Sequence, residues 1–297
     1  MSRDVSAMKM VITLLLFEAV VLAAGCNGVF YQPTREVYPP SSLFHIAFQD
    51  LYFDSTDQTR LNGWFLPGRP PVKGTILFLH GNGANIGNHI GAVYWLPDNG
   101  YNVFLFDYRG YGNSGGQSTR AGVRMDALAA LNFIRNHPSV NPDKLIIYGQ
   151  SLGGAIAVDT VASFRQSGIK LLLIESTFSS YRKIAREKLS SFFMTWPLQW
   201  PLSFLVSDEM SPIDVISSIS PRPLLVIHGN EDSIVGVHHA EELYRTAREP
   251  KDLWIIDGGG HINAFSASRP ANRERLVKVL DRAVSDRPLS EARFLGP

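Results

Sequence analysis

Three side chains that together can attack a carbonyl carbon each follow an apolar run in this sequence. Ser151 lies in the pentapeptide Gly149-Gln150-Ser151-Leu152-Gly153, which follows the run 144–148. Asp232 follows the run 223–229, and His261 follows the run 252–257. A serine hydroxyl is a weak nucleophile by itself and needs a base that an acid holds in place. The chain order serine, acid, histidine is one of the known orders of such a triad.

The context strand, Gly-x-Ser-x-Gly, helix predicts a tight turn that lifts the Ser151 hydroxyl above a sheet edge. Any Cβ at Gly149 or Gly153 would press on the neighbouring backbone, so glycine is needed there. The N–H group of Leu152, at the start of the helix, is a candidate donor to a developing oxyanion. The loop after the run 74–79 supplies the second donor, for which we expect the N–H group of Asn82.

Six segments in characteristic order extend this pattern. They are HGNGAN at 80–85, FDYRGYGNSGG at 106–116, GQSLGG at 149–154, ESTFSS at 175–180, HGNEDSIV at 228–235 and GGGHIN at 258–263. This set resembles the α/β-hydrolase superfamily, in particular the abhydrolase-domain branch related to Bem46. The resemblance spans roughly residues 42–285. It implies a serine hydrolase fold and the triad Ser151, Asp232 and His261, and the branch includes lysophospholipid and acyl-protein hydrolases.

Composition agrees with one large domain. The chain has 297 residues, of which 45% are hydrophobic and 19% are charged, so a sizeable core can form. The net charge of +1 gives no reason to expect a nucleic-acid partner. A triad that forms an acyl-enzyme needs no metal and no organic cofactor.

The run pattern predicts an α/β fold. The sequence predicts an antiparallel hairpin at residues 43–55 and 59–66. After the hairpin, predicted strands alternate with predicted helices at 86–99, 119–136 and 152–166. This alternation indicates a mostly parallel, doubly wound sheet. We expect a hydrolase domain at 43–285 and a C-terminal tail at 286–297.

Alternation breaks at about residues 177–221, which read as an insertion rich in Phe and Trp. In hydrolases of this kind such an insertion covers the active site as a lid. An aromatic surface there would suit a small or lipid-like acyl substrate. Alternatively, the aromatic residues only pack the insertion onto the domain, and the two interpretations are compatible.

The N-terminus has the pattern of an export signal at residues 1–25, with basic residues, an apolar run and small residues before Cys26. Its Ala24-Gly25-Cys26 ending resembles a bacterial lipobox, in which the cysteine is lipidated. We therefore expect a lipid anchor at Cys26, a tether at 26–42 and residence in the bacterial cell envelope. An aspartate directly after the lipidated cysteine would resemble a signal for retention in the inner membrane. Because the residue here is Asn27, the outer membrane is favoured over the inner.

One feature leaves alternatives open at this terminus. Glu18 places a charge inside the apolar stretch, where lipoprotein signals normally have none. A plain signal peptide and an uncleaved membrane helix remain open, although the stretch 10–24 is short for a span of about 20 residues.

A dinucleotide-binding site is an alternative interpretation of the loop at 81–87. Its glycines follow a strand and open a helix, and Asp107 ends the next strand. The third glycine comes one residue too late, and the reading leaves the triad residues unexplained. We expect Asp107 to bond its own turn with Arg109 and Gly110.

Other acids and histidines also need a role. Glu231 adjoins Asp232, and Glu175 follows the preceding strand, where some hydrolases carry the acid; we expect Glu175 to be structural. We expect His80 and His228, which lie at the ends of predicted strands, to pack against neighbouring loops. His238 and His239 are neighbours on a predicted helix and point about 100° apart, which disfavours joint metal binding.

The pattern as a whole indicates cleavage of a carboxylic ester or thioester, since an alcohol or thiol leaves more easily than an amine. An amidase or peptidase is one alternative. A non-catalytic envelope lipoprotein that keeps the fold as a binding module is the other.

Overall fold

The computed structural model describes residues 30–38 and 46–285, apart from 192 and 194. Its strands are β1 (Gln32–Pro33), β2 (Gln49–Asp54), β3 (Arg60–Leu66), β4 (Gly74–Leu79), β5 (Gly83–Ala84), β6 (Tyr101–Phe106), β7 (Leu145–Gln150), β8 (Ile169–Glu175), β9 (Leu224–Gly229) and β10 (Lys251–Ile256). Its α-helices are α1 (Ile86–His89), α2 (Arg120–Arg135), α3 (Leu152–Ser163), α4 (Tyr181–Ser190), α5 (Gln199–Ser203), α6 (Pro212–Val215), α7 (His238–Thr246) and α8 (Pro270–Val284).

Eight strands form one sheet in the order β10-β9-β8-β7-β4-β6-β3-β2. The pairs from β10 to β6 are parallel, whereas β3 pairs antiparallel with both β6 and β2. The predicted mostly parallel sheet with an N-terminal antiparallel hairpin is therefore confirmed. Strands β4, β6, β7 and β9 are buried along their whole length. Burial on both faces explains their unbroken apolar runs.

Two apolar cores, one on each face of the sheet, make this a three-layer fold. The first joins the sheet to α2, α3 and α7. The second joins it to α8 and to the segment around Ile86–Leu96. Helix α2 begins where Thr119 accepts a hydrogen bond from the Gly122 N–H group, as a capping threonine should.

The helix predicted at 86–99 is wrong as one element. Only Ile86–His89 is α-helical, and 3₁₀ turns follow at Ile90–Ala92 and Pro97–Asn99. Pro97 lacks an N–H group and clashes with a carbonyl one turn earlier, so a helix cannot continue through it. The proline begins the second 3₁₀ turn instead.

Part of the predicted tether lies on the domain. Phe30 and Tyr31 are buried, and β1 pairs in parallel with β5. The Arg35 guanidinium donates to the carbonyl oxygens of Gly112 and Ser114. Residues 30–38 therefore belong to the folded unit, and the expected start of the domain at residue 43 is too late for them. Cys26, the predicted signal and the predicted tail lie outside the described residues.

The insertion between β8 and β9 contains α4, a 3₁₀ turn at Trp196–Leu198, α5 and α6. Among the residues that the structure describes, no helix has the length and apolar character needed to cross a bilayer.

Candidate active site

Ser151 sits in a strained turn between β7 and α3. Its backbone has φ 54° and ψ −119°, a left-handed conformation that residues with a Cβ rarely adopt. A Cβ at Gly149 would lie 2.4 Å from the Gly153 carbonyl oxygen, and one at Gly153 would lie 2.0 Å from the Leu79 carbonyl oxygen. Backbone atoms therefore occupy the space that a Cβ would need, which explains the predicted requirement for glycine on both sides of the serine.

The structure brings Ser151, His261 and Asp232 into one hydrogen-bonded line. His261 Nε2 lies 3.1 Å from Ser151 Oγ, and His261 Nδ1 lies 2.8 Å from Asp232 Oδ2. Because an ionised carboxylate only accepts, the neutral ring carries its proton on Nδ1, which leaves Nε2 to accept from the serine. The three residues follow β7, β10 and β9, so the carboxyl ends of parallel strands assemble them.

The Asp232 carboxylate is held in its ionised form. Burial acts to raise its pKa, but hydrogen bonds from His228, from His261 and from the Val235 amide outweigh burial and hold the pKa well below its usual range. Oδ1 accepts from the N–H groups of Ile234 and Val235, each at 2.9 Å.

His228 makes more specific contacts than the expected packing against a loop. It is fully buried in β9, and its Nε2 lies 2.7 Å from the Val235 carbonyl oxygen and 3.4 Å from Asp232 Oδ2. The ring thus joins the strand to the loop that carries the acid. Sequence reasoning missed this contact, although the spacing of four residues between His228 and Asp232 was visible.

Neither alternative acid contacts the histidine. Glu231 is exposed, and its backbone N–H donates to the Gly259 carbonyl oxygen. Glu175 is buried; its Oε2 accepts from the Tyr148 hydroxyl and, at 2.6 Å, from the Gln150 amide. Asp232 is thus the acid that the geometry pairs with His261.

Glu175 and its neighbour Ser176 instead support the loop that carries His261. Glu175 Oε1 accepts from the Ala264 N–H group at 2.9 Å, and Ser176 Oγ accepts from the Ile262 N–H group at 3.1 Å. The Glu175 carbonyl oxygen also accepts from the Ser151 N–H group at 2.8 Å. The end of β8 therefore fixes both the serine turn and the histidine loop, which is a structural role for Glu175.

The loop after β4 passes beside the serine. A Cβ at Gly81 would lie 3.7 Å from Ser151 Cβ and 3.2 Å from the His89 ring. The Gly81 carbonyl oxygen lies 2.8 Å from Nδ1 of the buried His80. In a trans peptide the next N–H group, that of Asn82, points in the opposite direction, away from the His80 ring.

The Asp107 carboxylate does not bond Arg109 or Gly110, so that expectation is wrong. Its Oδ1 accepts from the Ile86 N–H group at 2.9 Å and lies 3.6 Å from His80 Nε2. Arg109 instead pairs with Asp126 and Asp57. Burial raises the pKa of Asp107 to about 7. A protonated carboxyl fits this place, because His80 donates from Nδ1 and so presents the bare nitrogen Nε2 to it.

His238 and His239 do converge on one partner, contrary to the sequence argument. Their Nε2 atoms each lie 3.0 Å from a different oxygen of Glu187, on α4. The 100° separation concerns Cβ directions, and two rotatable bonds allow both rings to turn toward the same carboxylate. Burial acts to raise the pKa of Glu187, but hydrogen bonds from His239 and His238 lower it to about 2.

The hydrogen bonds of this cluster explain its geometry without a bound cation. The Ser179 N–H group donates to His239 Nδ1 at 3.1 Å, which places the ring proton on Nε2, facing Glu187 Oε2. A metal at Nε2 would require the opposite tautomer. The cluster therefore joins α4 of the insertion to α7 of the domain.

Comparison with known proteins places this chain in a family. Residues 70–210 match the family described as serine aminopeptidase, S33. The uncharacterised Escherichia coli protein YfhR is 37% identical over 256 residues, which cover 84% of this chain and 86% of that protein. Bem46 of Schizosaccharomyces pombe is 30% identical over 217 residues, which cover 70% of this chain and 68% of that protein.

Solved structures agree on the fold. An esterase of Pyrococcus furiosus superimposes with a TM-score of 0.71 at 22% identity, over 86% of this chain and 99% of the esterase. Sequence and structure together show that this chain belongs to the α/β-hydrolase superfamily, in the branch related to Bem46.

Proposed function

We propose that this protein is a serine hydrolase that cleaves a carboxylic ester or thioester through an acyl-enzyme. One observation carries the proposal: the line of hydrogen bonds from Ser151 Oγ to His261 Nε2 at 3.1 Å and from His261 Nδ1 to Asp232 Oδ2 at 2.8 Å. The family supports hydrolysis in general.

The first half-reaction acylates the serine. As Ser151 Oγ bonds to the carbonyl carbon, His261 Nε2 takes its proton and the carbonyl electron pair moves onto oxygen. When the tetrahedral intermediate collapses, the bond to the alcohol or thiol breaks, and His261 returns the proton to that leaving group. Asp232 stays ionised throughout and stabilises the imidazolium.

The second half-reaction uses water. His261 takes a proton from the water as its oxygen attacks the acyl carbon, and the acid is released when the proton returns to Ser151 Oγ. No other reactant is required.

Two backbone N–H groups are proposed to hold the oxyanion, those of Leu152 and Asn82. Leu152 is the first residue of α3, directly after the serine turn. The support for Asn82 is that its peptide belongs to the loop beside Ser151 and that the preceding carbonyl is directed at His80.

A peptide or aminoacyl amide is the second candidate substrate class. It is favoured by the description of the matching family, serine aminopeptidase. The test is a screen of the purified protein against p-nitrophenyl esters of graded acyl length and against aminoacyl p-nitroanilides, with Ser151→Ala as the matched control. Faster turnover of esters supports the proposal. Turnover of anilides alone supports the amidase, and no turnover of either supports the binding-module alternative.

We also propose that Cys26 carries the lipid anchor and that the protein resides in the bacterial cell envelope. The support is the sequence pattern before Cys26. Lipid chains contribute about 0.8 kcal/mol per buried CH₂, so several chains give a stable anchor. Mass spectrometry of the mature N-terminus tests this: a lipidated Cys26 is expected, and an unmodified Cys26 or a chain that still begins at Met1 would refute it.

A further inference from the structure

The insertion carries an unusual concentration of exposed apolar side chains. Eleven large hydrophobic side chains are exposed in the described part of the chain, and six of them lie between residues 193 and 205. We call these six the aromatic face: Phe193, Trp196, Leu198, Trp200, Phe204 and Leu205. Phe193 is 92% exposed, and Trp196 and Trp200 are 59% and 56% exposed. Large exposed apolar patches in soluble domains mark interaction sites.

Cationic groups lie against this face. The Arg186 guanidinium lies 4.3 Å from the ring centre of Trp200, and that of Arg182 lies 5.5 Å from the ring centre of Phe204. Arg182 and Arg186 are four residues apart on α4, so they share one face of that helix. Trp200 and Phe204 have the same spacing. The arrangement is therefore a double row in which each arginine covers an aromatic ring.

Two of the other charged residues on α4 have partners elsewhere, and the exposed Lys188 adds a further positive charge in its last turn. Lys183 pairs with Glu242, and Glu187 binds His238 and His239. Arg182 and Arg186 have no carboxylate among the ion pairs of the described residues, and Arg182 Nε donates to the Val206 carbonyl oxygen. The positive charge of Arg182 also acts on Asp208: burial acts to raise the pKa of that carboxyl, but hydrogen bonds and this charge lower it. Arg186 is thus the guanidinium beside the aromatic face that shares its charge with no carboxylate among the described ion pairs.

Exposed tryptophan beside arginine is a combination that is typical of proteins at the membrane–water interface. The indole ring is apolar with one polar N–H group, and the guanidinium binds phosphate oxygens in pairs. We propose that the aromatic face docks on the surface of an anionic phospholipid bilayer. The rings enter the boundary between headgroups and acyl chains, and Arg182 and Arg186 bind lipid phosphates. This inference does not rest on the proposed ester chemistry.

The tryptophans themselves report on docking. The chain has five tryptophans, and Trp64, Trp95 and Trp254 are buried. A change in emission on adding vesicles therefore comes from Trp196 and Trp200. The purified full chain is mixed with phosphatidylglycerol–phosphatidylcholine vesicles whose acyl chains are brominated. Docking predicts a blue shift and quenching of this emission, both weaker with phosphatidylcholine alone and weaker at high salt.

Two variants keep both reporter tryptophans. Arg182→Gln with Arg186→Gln should weaken partitioning to anionic vesicles at least tenfold, since each basic residue contributes about a fivefold factor. Phe204→Ser with Leu205→Ser should reduce quenching on every vesicle. Ile255→Ser, an exposed apolar residue on β10, is the matched control and should behave as wild type. All variants share the N-terminal segment, so its own membrane affinity cancels.

Two results would overturn the proposal. One is an emission spectrum that vesicles leave unchanged. The other is self-association without vesicles that disappears in the Phe204→Ser, Leu205→Ser variant, because the face would then bind a second copy of the chain.

Discussion

His261 Nε2 lies 3.1 Å from Ser151 Oγ, although the two residues are 110 positions apart in the chain. Two strands, β9 and β8, separate the strands that carry them. Asp232 follows the first of these strands, and Glu175 ends the second. The distance between serine and histidine therefore depends on every strand between them.

Replacing Asp232 with Asn should lower kcat by about 10⁴, because the ring loses the acceptor that fixes its tautomer. Glu231→Gln and Glu175→Gln are the matched controls, since neither carboxylate contacts His261. We expect a much smaller loss from both. If Glu175→Gln cost more than Asp232→Asn in steady-state assays, the acid would follow β8 and not β9.

Removing the Glu175 side chain tests its support of the histidine loop. Glu175→Ala deletes the acceptor of the Ala264 N–H group and leaves the buried Tyr148 and Gln150 without their carboxylate partner. Unpaired buried groups cost about 1–3 kcal/mol each. We expect a loss of stability in urea unfolding and a lower kcat, whereas Glu175→Gln keeps an acceptor and retains most of both. Equal effects of the two variants would contradict this role.

The chain offers a matched pair for the serine turn. Gly153→Ala places a Cβ 2.0 Å from the Leu79 carbonyl oxygen, whereas a Cβ at Gly91 has nothing within 4 Å. We expect Gly153→Ala to lose about 3 kcal/mol or more of unfolding free energy, since overpacking against backbone cannot relax cheaply. Gly91→Ala should be within about 1 kcal/mol of wild type. A similar stability for the two variants would show that the turn is not tightly packed.

Asp107 should make stability depend on pH. Its pKa is raised by burial to about 7, so between about pH 4 and 7 the folded protein keeps a proton that the unfolded chain releases. Its contribution to stability is thus greatest at low pH and declines as pH rises to about 7. Asn mimics the protonated acid, so Asp107→Asn should gain roughly 3 kcal/mol over wild type between pH 5 and pH 8. Urea titrations of both proteins at these two values provide the measurement, and a difference that is the same at both would contradict the assignment.

The sequence was sufficient to predict the sheet and the meeting of three side chains at one of its edges. Buried parallel strands need unbroken apolar runs, and residues that follow such runs meet at one edge, so Ser151, Asp232 and His261 could be found without coordinates. Even the glycines beside Ser151 had a local reason.

Contacts between distant parts of the chain could not be predicted in the same way. Glu187 lies in the insertion, 51 positions from His238, and no periodicity links the two. The residues 30–38 have no apolar period, yet two adjacent aromatic side chains, Phe30 and Tyr31, are buried against the domain. The support of the histidine loop by Glu175 likewise depends on the order of strands in the sheet.

The central claim is that His261 and Asp232 activate Ser151 as a nucleophile. Its most direct test is labelling by a fluorophosphonate, followed by peptide mass spectrometry of the wild-type protein and of Ser151→Ala and His261→Gln. We expect one adduct, on Ser151, that is absent from Ser151→Ala and strongly slowed in His261→Gln. A wild-type protein without an adduct, or one labelled at another serine, would contradict the account.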